Sequence, residues 1–175
     1  RAQAAPAPGV TGASAAAEIA RQLARAGIAH RAHRHVPVGT IEEARAHVPH
    51  LTRDLMKTVV FEVVPTARRL LVAVTADARV DYRAVAAQAG CSRRALRLVE
   101  PARVASELGF EVGGVGPFRV VPAVEVLLDV AGASLPRVLV GGGLRTLTLE
   151  LAFADLARVS AASVAAVARA DGTRD

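Results

Sequence analysis

The chain has 175 residues, of which 52% are hydrophobic and only 3% aromatic, and it carries a formal net charge of +6. This length favours a single domain, the lack of an apolar run of about 18 residues argues against a membrane-spanning helix, and one cysteine, Cys91, excludes an internal disulfide. Every basic residue except Lys57 is an arginine, which fits either a phosphate-bearing partner or a codon bias. We therefore expect a soluble, cytoplasmic protein with no membrane partner.

The first third of the chain is predicted to contain a tail, a helix, a strand and a capped turn. Residues 1–13 are rich in alanine and proline and predict a disordered tail. Apolar residues at helical spacing predict a helix over 14–26, and alternation predicts a strand over 30–36. Thr40 and Glu43 have the spacing of a capping box, which predicts the start of a short helix.

The rest of the chain is predicted to mix strands and helices without a regular repeat. Asp81 is expected to cap a helix that ends at Gly90, and Pro101 to begin a helix that ends near Leu108. The other predicted strands are 55–64, 70–75, 95–98, 124–130, 137–140 and 144–149, and the other predicted helices are 153–159 and 163–169. This irregular order favours a mixed-sheet α/β or α+β fold, with one domain over residues 14–170.

Two features of the sequence predict a ligand pocket. Lys57 lies inside an apolar, strand-like run, where a charged group is costly unless it has a partner. The stretch 113–117 contains three glycines and a proline, and glycine lets backbone N–H groups approach a ligand closely. Together they suggest a pocket that binds an anionic or carbonyl-bearing group through one ammonium and several amides.

The order of motifs along the chain resembles a known family. The motifs are His-x-Pro-Val-x-Thr from His35, Lys57-Thr58, Leu-Val-Ala-Val-Thr-Ala-Asp over 71–77, Gly-Gly-Val-Gly-Pro-Phe over 113–118, Leu-Leu-Asp ending at Asp129, and Val-Gly-Gly-Gly over 140–143. Over residues 14–165 this set is similar to the YbaK / prolyl-tRNA-synthetase-associated domain. That family includes editing domains of synthetases and free-standing aminoacyl-tRNA deacylases.

The resemblance implies a mixed central sheet, curled towards a barrel and flanked by helices. It also implies hydrolysis of the ester that joins a wrong amino acid to the 3′ end of tRNA, without a cofactor. By this resemblance Lys57 holds the terminal adenosine and its phosphate, and the backbone of 113–117 cradles the aminoacyl group. Water attacks with help from the substrate's own ribose hydroxyl. Preorganised N–H donors would stabilise the negative charge that develops on the carbonyl oxygen.

The candidate site residues follow from these motifs. We assign catalytic roles to Lys57 and Gly114. The expected substrate-binding residues are His35, Thr40, Thr58, Gly113, Val115, Gly116, Pro117, Phe118, Gly141 and Gly142. No metal is expected, because the five histidines lack a recognisable ligand spacing.

Several alternatives stay open at this point. Many family members have serine where this chain has Gly116, and the motifs do not decide between alanine and cysteine on tRNA(Pro). The same pocket also fits a non-catalytic module that binds aminoacyl-tRNA or a nucleotide. A third alternative is an adaptor docked on a synthetase, for which the basic face matters and the pocket does not. The expected partners are the tRNA acceptor end and a cognate synthetase, with the chain as a monomer or homodimer. Asp129 is expected to cap a turn, and the arginines over 93–97 form either a solvated face or a tRNA contact.

Overall fold

The computed structural model describes residues 12–169, and this part of the chain forms five α-helices and ten strands. None of these helices is both long and apolar enough to cross a membrane. The helices are α1 Gly12–Arg25, α2 Ile41–His47, α3 Tyr82–Gln88, α4 Pro101–Leu108 and α5 Phe153–Val159. The strands are β1 His30–Arg34, β2 Met56–Val63, β3 Arg68–Thr75, β4 Arg79–Val80, β5 Leu96–Leu98, β6 Val124–Asp129, β7 Val138–Gly141, β8 Leu147–Leu151, β9 Ser163–Ala165 and β10 Ala168–Arg169.

The main sheet is mixed and has the strand order β5-β2-β3-β6-β9. Strands β5, β2 and β3 are antiparallel, whereas β6 and β9 run parallel to β3. A second, antiparallel sheet has the order β1-β8-β7, and one parallel bridge between Leu55 and Leu139 connects it to the main sheet. The predicted α/β class is confirmed. The expected curl towards a barrel stays a prediction.

Both faces of the main sheet are buried. Because alternate residues of a strand point to opposite sides, β2 contributes side chains to two core clusters. On one face Met56 and Val60 of β2 pack with Ile19 of α1 in the larger core cluster. On the other face Phe61 belongs to a second cluster with Val85 of α3. Helices on both sides therefore hold β2 in the middle of the domain, with its two edges available for pairing.

Local caps place several helices where the sequence predicts them. The Thr40 hydroxyl accepts a hydrogen bond from the Glu43 N–H at 3.1 Å, so α2 begins at the predicted capping box. The Asp81 carboxylate accepts from the N–H groups of Arg83 and Ala84, which fixes the start of α3. Such caps satisfy N–H groups that have no partner inside the helix.

The predicted helix over 163–169 is wrong, because this segment forms β9 and β10. Strand β9 pairs in parallel with β6, and Val167 is fully buried. The Asp129 carboxylate accepts hydrogen bonds from the Val167 and Ala168 N–H groups at 2.8 and 2.9 Å. Tertiary contacts thus override the helical preference of this alanine-rich stretch.

Several further boundaries differ from the predictions or lie beyond the described residues; β1, for example, ends at Arg34, two residues before the predicted end. Helix α1 begins at Gly12, two residues earlier than expected, and the rest of the predicted tail over 1–13 lies outside the described residues, as does position 170. Strand β8 begins at Leu147 and not at residue 144 as predicted, because residues 144–146 form the turn that follows Gly141–Gly143. That turn brings Arg145 next to the candidate site.

Candidate functional site

A cavity of about 390 Å³ lies against one edge of β2. Strand β5 pairs with this strand only at Phe61–Val63, and β7 contacts the chain at Leu55. Between these contacts the edge is not paired with another strand, and Lys57, Thr58 and Val59 line the cavity there. Its volume lies within the range of small-ligand sites. Most of the lining is apolar and comes from Val38, Ile41, Ala44, Val48, Leu51, Leu55, Met56, Val59, Val60, Leu98, Val99, Pro101, Val104, Ala105, Phe110, Val112, Val115, Leu144 and Leu147.

The charged side chains that line the cavity are both cationic. They are Lys57 and Arg145, and within residues 12–169 no carboxylate lines the cavity or forms an ion pair with either of them. The half-buried Lys57 ammonium donates to the backbone carbonyl of Ala76 at 3.0 Å, which holds it at the wall. This bond uses one of three donors, and the cavity therefore favours an anionic ligand.

Thr58 presents a hydroxyl with no hydrogen-bond partner in the described part of the chain. Its Oγ1 is inaccessible to solvent, although Thr58 as a residue lines the cavity wall beside Lys57. An unsatisfied buried polar atom is costly, and such atoms are uncommon in folded proteins. A polar group of a ligand could reach this hydroxyl only after a shift of the wall that covers it.

His35 and Thr148 form a hydrogen-bonded pair at another wall of the cavity. The His35 Nδ1 lies 2.7 Å from the Val36 carbonyl oxygen, and its Nε2 lies 3.0 Å from the Thr148 Oγ1. Because a carbonyl oxygen only accepts, Nδ1 must carry a proton, and in the neutral ring Nε2 accepts from the threonine hydroxyl. The carbonyl therefore fixes the tautomer and the orientation of the ring.

Thr40 also lines the cavity, but its hydroxyl serves the helix that follows it. It accepts from the Glu43 N–H, and the Glu43 carboxylate in turn accepts from the Gly39 N–H at 2.6 Å. The capping box thus fixes the path of the chain from His35 to α2. Its contribution to the cavity is a rigid wall.

The glycine-rich loop packs against the backbone of two other segments of the chain. A Cβ at Gly116 would overlap the Gly141 carbonyl oxygen, and one at Gly114 would overlap the backbone of Leu144. Gly113 has a φ of +90°, and a Cβ there would come within 2.6 Å of the Val38 carbonyl oxygen. These glycines allow three segments of the chain to meet at the cavity, which a side chain at any of them would prevent.

The structure brings seven of the twelve predicted site residues to the cavity wall. They are His35, Thr40, Lys57, Thr58, Gly113, Val115 and Gly141. The other five lie behind this wall: Gly114, Gly116, Pro117, Phe118 and Gly142. Phe118 is fully buried in the larger core cluster, and the Gly114 N–H donates to the Glu111 carbonyl at 2.8 Å.

Sequence reasoning missed Arg145 and Thr148. The alternation of leucine and threonine in this segment indicates a strand with one polar face, but only the pairing of β8 with β1 and β7 shows which site that face meets. The arginine cluster at 93, 94 and 97 does not line the cavity, and the Arg93 guanidinium lies over the Tyr82 ring at 4.5 Å.

The remaining titratable groups near this sheet are structural. The His33 Nε2 lies 2.6 Å from a Glu150 carboxylate oxygen, and this hydrogen bond lowers the pKa of Glu150, with a further effect from the nearby charge of Arg31. No group of three or more metal-ligating side chains occurs within residues 12–169. The predicted cap at Asp129 is confirmed, since its carboxylate accepts from the Ala131 N–H at 3.1 Å.

Comparison with known proteins relates both the sequence and the fold to earlier examples. The family model for the aminoacyl-tRNA editing domain matches residues 35–159. The crystal structure of hypothetical protein APE2540 has a TM-score of 0.77 and 24% identity, covering 87% of this chain and 99% of that one. That of a candidate trans-editing enzyme for prolyl tRNA synthetase has a TM-score of 0.71 and 24% identity, covering 89% and 97%. The fold is shared over nearly the full length of both proteins.

Proposed function

Because the chain belongs to the aminoacyl-tRNA editing domain family, we propose that it hydrolyses mischarged aminoacyl-tRNA at the cavity beside β2. The observation that carries this proposal is the position of Lys57. Lys57 lines the cavity, and its ammonium is held by one carbonyl and has no carboxylate partner among the described residues. A cation in this state is suited to bind a phosphate of the RNA 3′ end.

The reaction requires a water molecule to attack the ester carbonyl, which forms a tetrahedral oxyanion. The ester C–O bond then breaks, and the departing ribose oxygen takes up the proton that the attacking water has lost, which gives a free amino acid and a ribose hydroxyl. Lys57 would hold the terminal nucleotide, and the apolar walls would limit the access of bulk water. Positioning of this kind supplies a large part of the acceleration when no side chain acts as nucleophile.

The loop 113–117 is proposed to contact the aminoacyl group through Gly113 and Val115, which line the cavity. The catalytic role proposed for the Gly114 amide requires that its hydrogen bond to the Glu111 carbonyl be shared or broken when substrate binds. The contact proposed between the unpartnered Thr58 hydroxyl and a polar group of the substrate likewise requires a local shift, because the hydroxyl oxygen is inaccessible in this structure. Oriented donors that are fixed before the reaction stabilise developing charge most effectively.

We further propose tRNA(Pro) carrying alanine or cysteine as the substrate. The fold shared with a candidate trans-editing enzyme for prolyl tRNA synthetase supports the choice of tRNA. A cytoplasmic location follows from this proposal, because the substrate is made there. A cognate synthetase is a proposed second partner.

The test is a deacylation panel with alanyl-, cysteinyl-, seryl- and threonyl-tRNA(Pro), run with the wild type, Lys57→Ala and Lys57→Arg. We expect the wild type to hydrolyse the alanyl or cysteinyl ester fastest. Loss of a charge-assisted contact in a partly desolvated site should lower kcat/KM for Lys57→Ala by about 100-fold. Lys57→Arg should retain part of the activity because the charge remains. Equal rates for wild type and Lys57→Ala, with both proteins folded by thermal unfolding, would refute the role of Lys57.

One observation favours a second candidate, a module that binds aminoacyl-tRNA without hydrolysing it. The expected oxyanion donor, the Gly114 amide, is already bonded to Glu111. For this alternative we expect tight binding of an amide-linked, non-hydrolysable aminoacyl-adenosine while the ester analogue stays intact. Hydrolysis of the ester analogue as fast as it binds would exclude this non-catalytic alternative.

A further inference from the structure

Arg145 lies at the mouth of the cavity, where three cavity-lining segments of the chain meet. Its backbone N–H donates to a Glu111 carboxylate oxygen at 2.7 Å, and its carbonyl accepts from the Val38 N–H at 3.0 Å. The residue before it, Leu144, packs closely against the glycine-rich loop. A Cβ at Gly114 of that loop would lie only 2.4 Å from the Leu144 backbone. The main chain of Arg145 is therefore fixed by partners on both sides.

The guanidinium of Arg145, in contrast, is exposed and has no ion-pair partner within the described residues. The nearest acid along its hydrogen bonds, Glu111, directs a carboxylate oxygen to the backbone of Arg145. An arginine with a fixed backbone and five free donors is well suited to bind a planar or tetrahedral anion in a bidentate manner.

The depths of the two cations differ. Lys57 is half-buried at the edge of β2, and Arg145 is exposed at the rim. Both cations line one cavity, and its lining within residues 12–169 includes no carboxylate, so negatively charged ligands are favoured from the interior to the mouth. A ligand with successive negative charges along its length fits this arrangement better than a compact ligand with one charge.

We propose that Arg145 binds a phosphodiester of the single-stranded RNA 3′ end, one or more nucleotides further from the terminus than the phosphate bound by Lys57. This inference rests on the proposed function, because it takes the RNA 3′ end as the ligand. Arg145 thus forms a second binding site, at the rim, which contacts the polynucleotide and not the aminoacyl group. Arg145 is therefore a determinant of substrate length.

The experiment compares Arg145→Gln with Arg83→Gln, an exposed arginine of α3 that does not line the cavity. Deacylation is measured on an aminoacyl minihelix with a single-stranded 3′ end and on 3′-aminoacyl-adenosine, which has no phosphodiester. We expect Arg145→Gln to lower kcat/KM on the minihelix about 10-fold, as for loss of a charge-assisted contact. The same variant should leave aminoacyl-adenosine unchanged, and Arg83→Gln should leave both substrates unchanged.

Salt dependence supplies a second readout. For a single-stranded ligand each phosphate contact contributes about −0.7 to the slope of log K against log salt concentration. The slope for Arg145→Gln should therefore be shallower than that of the wild type by about this amount. Equal losses on both substrates, no loss on either, or an unchanged slope would overturn the inference.

Binding of an unacylated 3′-terminal oligonucleotide, measured by fluorescence anisotropy, separates this inference from the proposed function. If the wild type hydrolyses no ester but binds the oligonucleotide with the expected dependence on Arg145, the function fails and the rim site stands. If the wild type hydrolyses the ester and Arg145→Gln binds the oligonucleotide as tightly as the wild type, the function stands and the rim site fails.

Discussion

The two ends of β2 treat charge in opposite ways. At its carboxyl-terminal end the Glu62 carboxylate lies 3.0 Å from both Arg69 and Arg103, and the same two arginines contact Glu107 at 2.7 and 2.9 Å. At its amino-terminal end the Lys57 ammonium has, among the residues that the structure describes, only a backbone carbonyl as partner. The cations beside the carboxyl-terminal end of β2, Arg69 of β3 and Arg103 of α4, are therefore neutralised by carboxylates, whereas Lys57 is not.

This difference separates charges that serve the fold from charges available to a ligand. Paired groups hold α4 on the sheet, and their removal should change stability. Within residues 12–169 the Lys57 ammonium and the Arg145 guanidinium form no ion pair, so replacing these side chains should change binding and leave stability nearly unchanged. Variants at Asp129, Thr58 and Glu62 test whether stability and binding depend on different residues.

The largest stability effect is expected at Asp129, a buried acid that serves the fold. Its carboxylate accepts from the N–H groups of Ala131, Val167 and Ala168 and is only 3% exposed. Asp129→Ala leaves these donors unsatisfied and should lower the free energy of unfolding by about 3 kcal/mol in urea titration. Asp155→Ala, which removes an exposed partner of Arg158, should lower it by at most about 0.5 kcal/mol. A loss below 1 kcal/mol for Asp129→Ala would contradict this assignment.

Thr58→Val should change stability and activity in opposite directions. Since the Thr58 hydroxyl is buried without a partner, its replacement by a methyl group should raise the free energy of unfolding by about 1 kcal/mol. The same change should lower kcat/KM for deacylation about 10-fold, because the substrate loses a hydrogen bond. The matched control is Thr66→Val, whose hydroxyl donates to the Val63 carbonyl at 2.9 Å and which should lose stability but not activity. A Thr58→Val protein that is less stable and fully active would place Thr58 among the residues that serve the fold.

The smallest effect is expected for Glu62→Gln and appears in the pH dependence of stability. The hydrogen bond from Arg103 lowers the pKa of Glu62. Because the folded-state pKa lies below the unfolded value of about 4.3, its contribution is present above that pH and is lost as pH falls through the folded-state pKa. The wild type should thus lose more stability than Glu62→Gln between about pH 5 and pH 3, with a difference at neutral pH of at most about 1 kcal/mol. Identical pH profiles would show that this contact contributes nothing.

Much of the fold could be predicted because its determinants are local. Thr40, Asp81 and Pro101 each mark a helix start through a cap or a fixed φ angle, and all three starts are as predicted. The segment 163–169 could not be predicted, because its strands depend on pairing with β6 and on the distant Asp129. Local preference there favours a helix, and long-range contacts decide otherwise.

The candidate site was predictable to the extent that its residues are unusual in sequence. A lysine among arginines and a run of glycines both attract notice, and Lys57, Gly113 and Val115 do line the cavity. Arg145 is one arginine among many and carries no local pattern. Its place at the rim depends on the turn before β8 and on hydrogen bonds to Glu111 and Val38, which only the three-dimensional structure reveals.

The central claim is that the Lys57 ammonium binds the RNA 3′ end, and its uniqueness allows a direct test. Because Lys57 is the one lysine in the 175 residues, selective labelling with ¹⁵Nζ-lysine gives a single side-chain ammonium resonance. We predict that titration with an amide-linked aminoacyl 3′-oligonucleotide shifts this resonance in a saturable manner, with the same Kd as fluorescence anisotropy reports. Saturable binding of the oligonucleotide with an unmoved resonance would contradict the account.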